Sequence, residues 1–570
     1  MFGQGNTGAI LGTITDTSGA VVPSAKVTVT NVQTNVASDT QSDSVGNYAV
    51  RYLSAGQYRV EAEFSGFKKL VRENIQLDLF RELRVDLTLE AGANVESVTI
   101  TGTAALLETE TGSLSSTMES RQVTSLPLST RDPTQLENFI PGVVQGPEGT
   151  VSNGGQVRRD TYLVDGANNT THVWGNPTIA PNPDMLEEFK ILTNSFSAEY
   201  GQTSGSVMVT SMKSGTNQVH GSLFEFFQNT DLNAGNFFTH QVPALHYNQF
   251  GGTVGGPIRK NKTFAFFAYQ NTRQTGMTAY TNASVPQPAF IQGNFSQILG
   301  GQVGTDALGR PVYGDEVFDP LSSRNTVNSA GQTVVVRDPF PGNIIPTSRL
   351  SPAALKAAAL YPAPQSSALA GNWNSTGLNL NYTKTYDLRL DHNFSESNKL
   401  MGRYGKNFNR NDTGSEFPDP RSGGVYNNTP NHFVTVNFVH VFSPKATNDL
   451  HVNWWQNYAH RTVGGTGTVS ENDMGIYGLP NGADRDLATP LYNFTNFTSV
   501  GPGYSSLMYQ LEASRSIVDT ASIALARHTI KFGGEVRQLR TDNLQPNNQQ
   551  RRLYVQQLLH QPSRSRAKRL

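Results

Sequence analysis

The sequence predicts a mostly β chain whose largest part is the wall of an antiparallel transmembrane β-barrel. Three observations predict it. Apolar and polar side chains alternate in segments between residues 382 and 539. Short turns and long connections take turns between those segments. The early part of the chain, residues 7–90, reads as short strands separated by turn chemistry.

Successive side chains of a strand point to opposite faces. Tyr382, Tyr386, Leu388, Leu390 and Phe394 therefore share one face, and Thr383, Thr385, Asp387, Arg389, Asp391 and Asn393 share the other. Leu450, Val452, Trp454 and Tyr458 stand against His451, Asn453 and Asn457 in the same way. Val434, Val436, Phe438 and Phe442 stand against Thr435 and Asn437, and Ile530, Phe532 and Val536 against Thr529, Lys531, Glu535 and Arg537. In a soluble sandwich the apolar face is the core. In an outer-membrane barrel it meets lipid, and the charged face lines the lumen. The connections favour the barrel: 394–400, 442–450 and 526–529 are short, whereas 273–381, 409–431 and 461–508 are long. Periplasmic turns and extracellular loops have this layout, and soluble sandwiches seldom carry structureless connections of that length.

Composition sets the outer bounds. The 570 residues are enough for several domains. A net charge of −1 offers no basic field, so nucleic acid is not an expected partner. The chain has no cysteine, which excludes disulfides, thiolate metal sites and cysteine nucleophiles. Mean hydropathy is −0.40, and no run of about 18 apolar residues predicts a membrane helix. That test does not see a barrel, because half of each strand is polar. The start, Met1-Phe2-Gly3-Gln4-Gly5, lacks the basic and apolar regions of a signal peptide, so the expectation is that such a segment is missing from the chain. After Asn548 alternation stops and arginine density rises. Residues 549–570 are expected to be a non-native or out-of-frame tail; a basic tail for nucleic acid or anionic lipid is the alternative.

The elements follow in order. Strands are expected at 10–14, 25–30, 48–52, 56–64 and 83–89, separated by Asp16-Thr17-Ser18-Gly19, by the turn from Asp43 to Asn47, and by Ser65-Gly66. That spacing suits a sandwich of about seven short strands. The stretch Gly8-Ala9-Ile10-Leu11-Gly12-Thr13-Ile14, then Ser18-Gly19-Ala20-Val21-Val22-Pro23, Asp43, Gly46 and Tyr48, resembles the carboxypeptidase-regulatory-like domain. That resemblance implies a transthyretin-like, carbohydrate-binding-like sandwich over 7–90 and no peptidase activity. Val95 to Thr103 follows, and Val98, Thr99, Ile100 and Thr101 resemble a TonB box, a segment that pairs as an added strand with an energy-coupling protein. Tyr162-Leu163-Val164-Asp165-Gly166 and Phe196-Ser197-Ala198-Glu199-Tyr200-Gly201, running on to Lys213-Ser214-Gly215-Thr216-Asn217, resemble the plug of TonB-dependent receptors. Asp165, Gly166, Glu199, Tyr200 and Gly201 are its motif residues here. His220-Gly221-Ser222-Leu223-Phe224 opens the barrel, and Phe340-Pro341-Gly342-Asn343-Ile344-Ile345-Pro346 suits the Oar-like subgroup.

The expected layout is therefore a regulatory-like sandwich at 7–90, the TonB-box segment with a mixed α+β plug at 94–217, a partial barrel at 218–548, and the tail. Barrels of this family have about 22 strands; about nine are expected here from strand length and turn spacing, so the barrel is expected to be truncated. The resemblance implies a bacterial outer-membrane receptor that takes up a bulky extracellular solute, a carbohydrate or a peptide. Its partners would be a TonB-type energy-coupling protein, outer-membrane lipid and that solute. A barrel-anchored structural or adhesion protein, or a soluble carbohydrate-binding module, are the alternatives.

Other candidate chemistry is weak. Gly251-Gly252-Thr253-Val254-Gly255-Gly256 is followed by Pro257 and another strand, where a phosphate loop needs a helix. Asp160, Asp165, Glu187, Glu188 and Glu199 have no evident partner base, so hydrogen bonding within the plug and to the wall is expected. No metal-ligand spacing involves the histidines; His440 and His451 are expected as wall residues. Neither catalysis nor a cofactor is expected. Tyr382, Phe394, Phe408, Phe442 and Tyr458 are candidates for interface girdles. Ser351-Pro352 is expected to begin a short helix, with Ser at the N-cap and Pro at N1.

Overall fold

The computed structural model describes residues 7–79, 81–92, 97–101, 113–126, 131–146, 149–235, 237, 242, 244–443, 445–466, 472–477, 489–502, 508–525, 528–544 and 553–555. Strands β1 (Gly8–Asp16), β2 (Lys26–Asn31), β3 (Ala37–Gln41), β4 (Asn47–Leu53), β5 (Gly56–Glu63), β6 (Lys69–Leu77), β7 (Glu82–Arg84), β8 (Leu87–Leu89) and β9 (Ser97–Thr101) build a two-sheet sandwich. One sheet runs β4-β1-β7, with β8 also on β1; the other runs β3-β2-β5-β6-β9. Alternation puts Ile10, Ile14, Val27, Val29, Val60 and Leu77 in one apolar core. The expected strand 83–89 is instead two short strands, β7 and β8, both parallel to β1. The sequence reading omitted β3 and β6. β3 (Ala-Ser-Asp-Thr-Gln) has almost no apolar signal. In β6 the left-handed Asn74 (φ 58°) shifts the phase by one residue, so Leu70 and Ile75 both face the core.

The plug comprises β10 (Leu114–Glu119), the helix Ser120–Ser125, β11 (Val143–Gly146), β12 (Gly149–Ser152), β13 (Thr161–Val164), β14 (Ala167–Asn168), β15 (Leu186–Asn194) and β16 (Val207–Met212). Its main sheet runs β10-β15-β16-β13-β14. The helix is closed by a capping box, with Gln122 Oε1 accepting from the Glu119 N–H at 3.1 Å.

The wall is one nine-stranded sheet. Its strands are β17 (His220–Asn229), β18 (Leu245–Arg259), β19 (Thr263–Ala283), β24 (Trp373–Ser395), β25 (Asn398–Thr413), β26 (Val425–Ser443), β27 (Ala446–Val463), β29 (Met508–Leu525) and β30 (His528–Leu544), paired antiparallel in that order. Long connections carry β20 (Gln302–Thr305), β21 (Pro311–Tyr313), β22 (Phe318–Val327), β23 (Thr333–Pro339) and β28 (Tyr492–Phe494), and β31 (Leu553–Val555) pairs parallel with β28. The remainder of 549–570, and the turn at 526–527, lie outside the described residues. The loops are shorter than expected, because β19 runs on to Ala283 and β24 begins at Trp373. Those strand ends are polar on both faces, as in Thr278-Ala279-Tyr280-Thr281-Asn282, so alternation gives no signal there. The glycine-rich run from Gly251 lies inside β18, and a Cβ on Gly251 would sit 2.1 Å from the Tyr269 carbonyl oxygen.

Burial separates barrel from sandwich. Leu388 is 39% exposed and Asp387 beside it 3%. Val436, Val452 and Phe532 are likewise exposed, while Thr435, His451 and Asn453 are buried. The apolar face points outward and the polar face inward, as a lipid-spanning wall requires. Phe394 and Phe442 are exposed close to the short-turn end. Tyr382 and Phe408 lie mid-strand, edge to face with centroids 6.4 Å apart. The helix Pro352–Ala358 has Pro at N1, but Ser351 makes no side-chain cap bond.

Candidate functional site

The site is the junction of plug and inner wall. β13 and β14 are joined by the two-residue turn Asp165-Gly166, with φ of 47° and 79°. An Asp-Gly pair suits such a hairpin turn because both residues tolerate left-handed backbone. The turn aims the fully buried Asp165 carboxylate at the wall. Its Oδ1 accepts from the Met212 N–H at 3.1 Å and from Arg389 Nη1 at 3.2 Å. Arg403 Nε lies 3.8 Å from Oδ2. Each arginine has a wall carboxylate of its own: Arg389 is bidentate to Asp391, and Arg403 to Asp387. Arg389 also donates to the Met212 carbonyl at 2.6 Å, and the Ser214 hydroxyl donates to Asp391 at 2.6 Å. Three carboxylates thus face two guanidiniums in a largely buried lock at the short-turn end. Removing one partner from such a network leaves charge stranded.

Higher up, aromatic residues seat the plug. Trp455 and Phe433, each 1% exposed, and Phe266 pack from the wall against Phe189, Ile191 and Met208 of the plug. The His172 ring lies 5.0 Å from that of Trp455, and burial pushes the His172 pKa down. The backbone N–H groups of His172 and Val173 both donate to Glu512 Oε2, at 2.6 and 3.1 Å, and the Trp174 indole donates to Gln510 at 3.2 Å. On the plug's other side Arg131 pairs with Asp184 at 3.0 Å and stacks 3.9 Å from the Phe226 centroid.

The other plug-motif residues sit apart from the lock. Glu199 pairs with Lys531 of β30 at 2.6 Å, half-exposed. Tyr200 is buried beside Phe196 and Val209, and burial raises its pKa. Gly201 has open space around its Cβ position, and nothing in the structure requires glycine there. Asp160 accepts from the Ser206 N–H and hydroxyl and from Ser152. Glu188 turns the opposite way, toward the sandwich. Its Oε2 accepts from the Leu79 N–H at 2.7 Å, and Lys190 Nζ donates to the Leu79 carbonyl at 3.1 Å. Burial pushes Glu188 up to about 8 and raises Glu187. Among the described residues no group of three or more His, Asp or Glu side chains is placed to hold a metal ion. The TonB-box-like residues Val98 to Thr101 are in β9, parallel to β6 in the register Leu70↔Val98 to Glu73↔Thr101.

Between plug and wall lies a cavity of about 460 Å³, which shares the lining residues Asp132, Asn176, Pro177 and Ala180 with one of about 860 Å³ over the plug. The wall contributes uncharged polar side chains from six strands. Asn457 donates to Asn431 at 2.9 Å, Asn431 to Asn407 at 3.5 Å, and Asn407 to Thr385 at 3.0 Å, a belt across four strands. Two arginines in the lining, Arg131 and Arg158, face three carboxylates, Asp132, Glu137 and Asp160. Glu137 is pushed up to about 7 by burial, against the Thr150 hydroxyl that donates to it at 2.5 Å.

The sequence reading marked Asp387, Arg389 and Asp391 only as one wet face, and did not name Arg403, Trp455, Phe433 or Glu512. Period-2 alternation is a signal for facing inward; which inward residue meets the plug depends on register between strands far apart in sequence.

A plug locked by buried ion pairs inside a wall with lipid-facing apolar side chains defines a plugged barrel protein of the bacterial outer membrane. The chain belongs to the family described as "Outer membrane beta barrel domain", which matches residues 211–564, and carries a "Carboxypeptidase regulatory-like domain" at residues 9–90. It is 28% identical over 297 residues to the TonB-dependent transporter Oar of Myxococcus xanthus, a match covering 48% of this chain and 28% of that protein. The chain therefore spans less than two thirds of that relative. Among solved structures it is similar to the outer membrane transporter YddB from Escherichia coli (TM-score 0.45, 10% identity, 75% of this chain and 48% of that one). It is also similar to the ferric enterobactin receptor PfeA from Pseudomonas aeruginosa (TM-score 0.40, 14% identity, 76% and 50%).

Proposed function

We propose that this chain is part of a TonB-dependent outer-membrane receptor that binds a bulky extracellular solute, a carbohydrate or a peptide, for energy-coupled uptake. The observation that carries this reading is the lock: Asp165 on the plug, buried against Arg389 and Arg403 on the wall. A plug held by a few concentrated charge contacts can stay shut and yet be released when those contacts are broken together. In this reading residues 7–90 are the regulatory-like sandwich, 94–217 the TonB-box segment and plug, 218–548 the partial barrel and 549–570 a tail. The cavities over the plug and between plug and wall bind solute, and Val98, Thr99, Ile100 and Thr101 meet the TonB-type partner by main-chain pairing. The uncharged carboxamide belt supports a neutral, hydrogen-bonding solute: the two lining cations, Arg131 paired with Asp184 and Arg158 over the Trp174 ring, are outnumbered by the lining carboxylates.

The test is Ile100→Pro in the full-length protein, which removes a backbone donor. Uptake is expected to fall to background while solute binding persists; equal loss of both counts against the coupling role. Uptake that ignores the proton gradient would favour a barrel-anchored structural or adhesion protein instead.

A further inference from the structure

The outward face of the wall changes chemistry along its strands. Strand register sets Val436, Val452, Ile517 and Val536 side by side on β26, β27, β29 and β30, an exposed apolar row. Two residues nearer the long connections the row becomes Val434, Trp454, Arg515 and Gln538, and the next sets Ala513 opposite Arg540. Alternation keeps all of these on the outward face. Arg515 stands ten positions before the short-turn end of its strand at Leu525. At about 3.4 Å per residue and a tilt of roughly 40°, that is about 26 Å above the short turns, the upper rim of an apolar band about 25 Å tall. An outward arginine is costly at the membrane midplane and nearly free at this level.

At that level the outer face holds a groove of about 240 Å³, lined among others by Trp454, Leu511, Ala513, Arg515, Gln538 and Arg540. Arg515 is exposed, and among the described residues its guanidinium has no hydrogen bond or ion pair. Arg540 meets Asp542 at 2.6 Å, but both side chains are more than half exposed, so the pair is weak and open to exchange. Asp519, the outward carboxylate of β29, lies four positions nearer the short turns and accepts from Asn448 at 2.7 Å. Aromatic rings lead up to the groove: Tyr404 and His432 share a hydrogen bond of 3.0 Å, and the His432 ring stacks with that of Trp454 at a centroid distance of 6.2 Å. Rings with one apolar and one polar end suit a membrane–water boundary.

We propose that this groove binds the phosphate group of a lipid in the extracellular leaflet, with Arg515 and Arg540 holding the phosphate oxygens and Trp454 and Leu511 lying against the apolar part of the same lipid. Position and charge name the occupant. The apolar row just below faces lipid, so the molecules that reach the groove are lipids. One guanidinium without a carboxylate, beside another held only by an exposed pair, calls for an anion. The planar fork of an arginine matches phosphate oxygens two at a time. The site depends only on the wall facing lipid and is independent of the uptake reading above.

The test uses the full-length protein in phosphatidylcholine vesicles that also contain either phosphatidic acid or diacylglycerol, two lipids that differ only in the phosphate. Native mass spectrometry of the released protein counts bound lipids and reports the oligomeric state. Phosphatidic acid adducts are expected, with diacylglycerol adducts near background. Arg515→Gln and Arg540→Gln should each lower the phosphatidic acid adducts at least about fivefold. Arg324→Gln, in β22 of a long connection, should leave them within about twofold. All three variants should keep the unfolding midpoint of the unmodified protein in phosphatidylcholine alone, because exposed side chains of this kind carry little stability. Adducts that survive both groove substitutions, or that form equally with diacylglycerol, overturn the proposal. Equal loss with Arg324→Gln also overturns it, since total charge would then explain the binding. So does a dimer that the groove substitutions dissociate while lipid adducts stay unchanged, because a second copy of the chain would then be the occupant.

Discussion

Replacing Arg389 by alanine should cost more than replacing Asp165, although the two are partners. Arg389→Ala strips Asp391 of its bidentate donor and Asp165 of its nearer cation, and leaves the Met212 carbonyl unbonded. Asp165, Asp387 and Asp391 would then share Arg403, which is already bidentate to Asp387. Stranding buried charge in this way costs about 3–5 kcal/mol, and this site belongs at the upper end. Asp165→Ala leaves both wall pairs intact. It unpairs the Met212 N–H, worth about 1–3 kcal/mol, and puts a Cβ without polar atoms at φ 47°, worth about 1 kcal/mol. About 3 kcal/mol is expected in all. Asp165→Asn keeps an oxygen for Met212, places its amide where Oδ2 has no hydrogen-bond partner, and should cost about 1 kcal/mol. Equilibrium unfolding of the full-length protein in phospholipid vesicles measures all three. Conductance through planar bilayers reports leakage past the plug and should rise in the same order. If Asp165→Ala costs as much as Arg389→Ala, or if all three fall within about 1 kcal/mol, the lock is not a charge network in which Arg389 is the shared cation.

Further expectations follow from the neighbouring residues. Glu199→Ala, which breaks a half-exposed pair with Lys531, should change stability by less than about 1 kcal/mol, whereas Tyr200→Ala empties a buried ring site and should cost about 3 kcal/mol or more in the same unfolding measurement. Trp455→Ala removes the ring on which His172 rests and should cost about 3–5 kcal/mol, read as a lower unfolding midpoint. Glu137 has a folded pKa of about 7, above its ordinary 4.5, so its contribution is fully present below about 4.5 and is lost as pH rises through about 7. That loss is on the order of 3 kcal/mol, and Glu137→Gln should flatten the stability profile between these pH values.

The wall was legible because its chemistry is periodic. Each of the four alternating segments read from the sequence is a wall strand, and the polar face of Thr385, Asp387 and Arg389 is the inward one. Strand ends beyond the apolar band were not legible, since Thr278 to Asn282 are polar on both faces. β6 was missed because Asn74 reverses the phase of its apolar residues. In the site, Asp165-Gly166 could be picked out as a turn by its own dipeptide. Its partners could not, because Arg389 and Arg403 are 224 and 238 positions away and nothing local distinguishes them from other inward arginines. Pairing of Val98 to Thr101 with β6 was equally invisible: a parallel partner leaves no mark on either strand's alternation.

On the uptake reading, the Asn457-Asn431-Asn407-Thr385 belt has a kinetic consequence. Every carboxamide both donates and accepts, so a neutral solute moving along it can trade one hydrogen bond for an equivalent one at the next strand, about 4.8 Å on. The energy profile along such a surface is a series of shallow wells. A single deep trap would hold the solute more tightly and release it more slowly, whereas passage needs binding weak enough to leave. On the uptake reading, the rung that links four wall strands would also keep friction low for a solute passing across it.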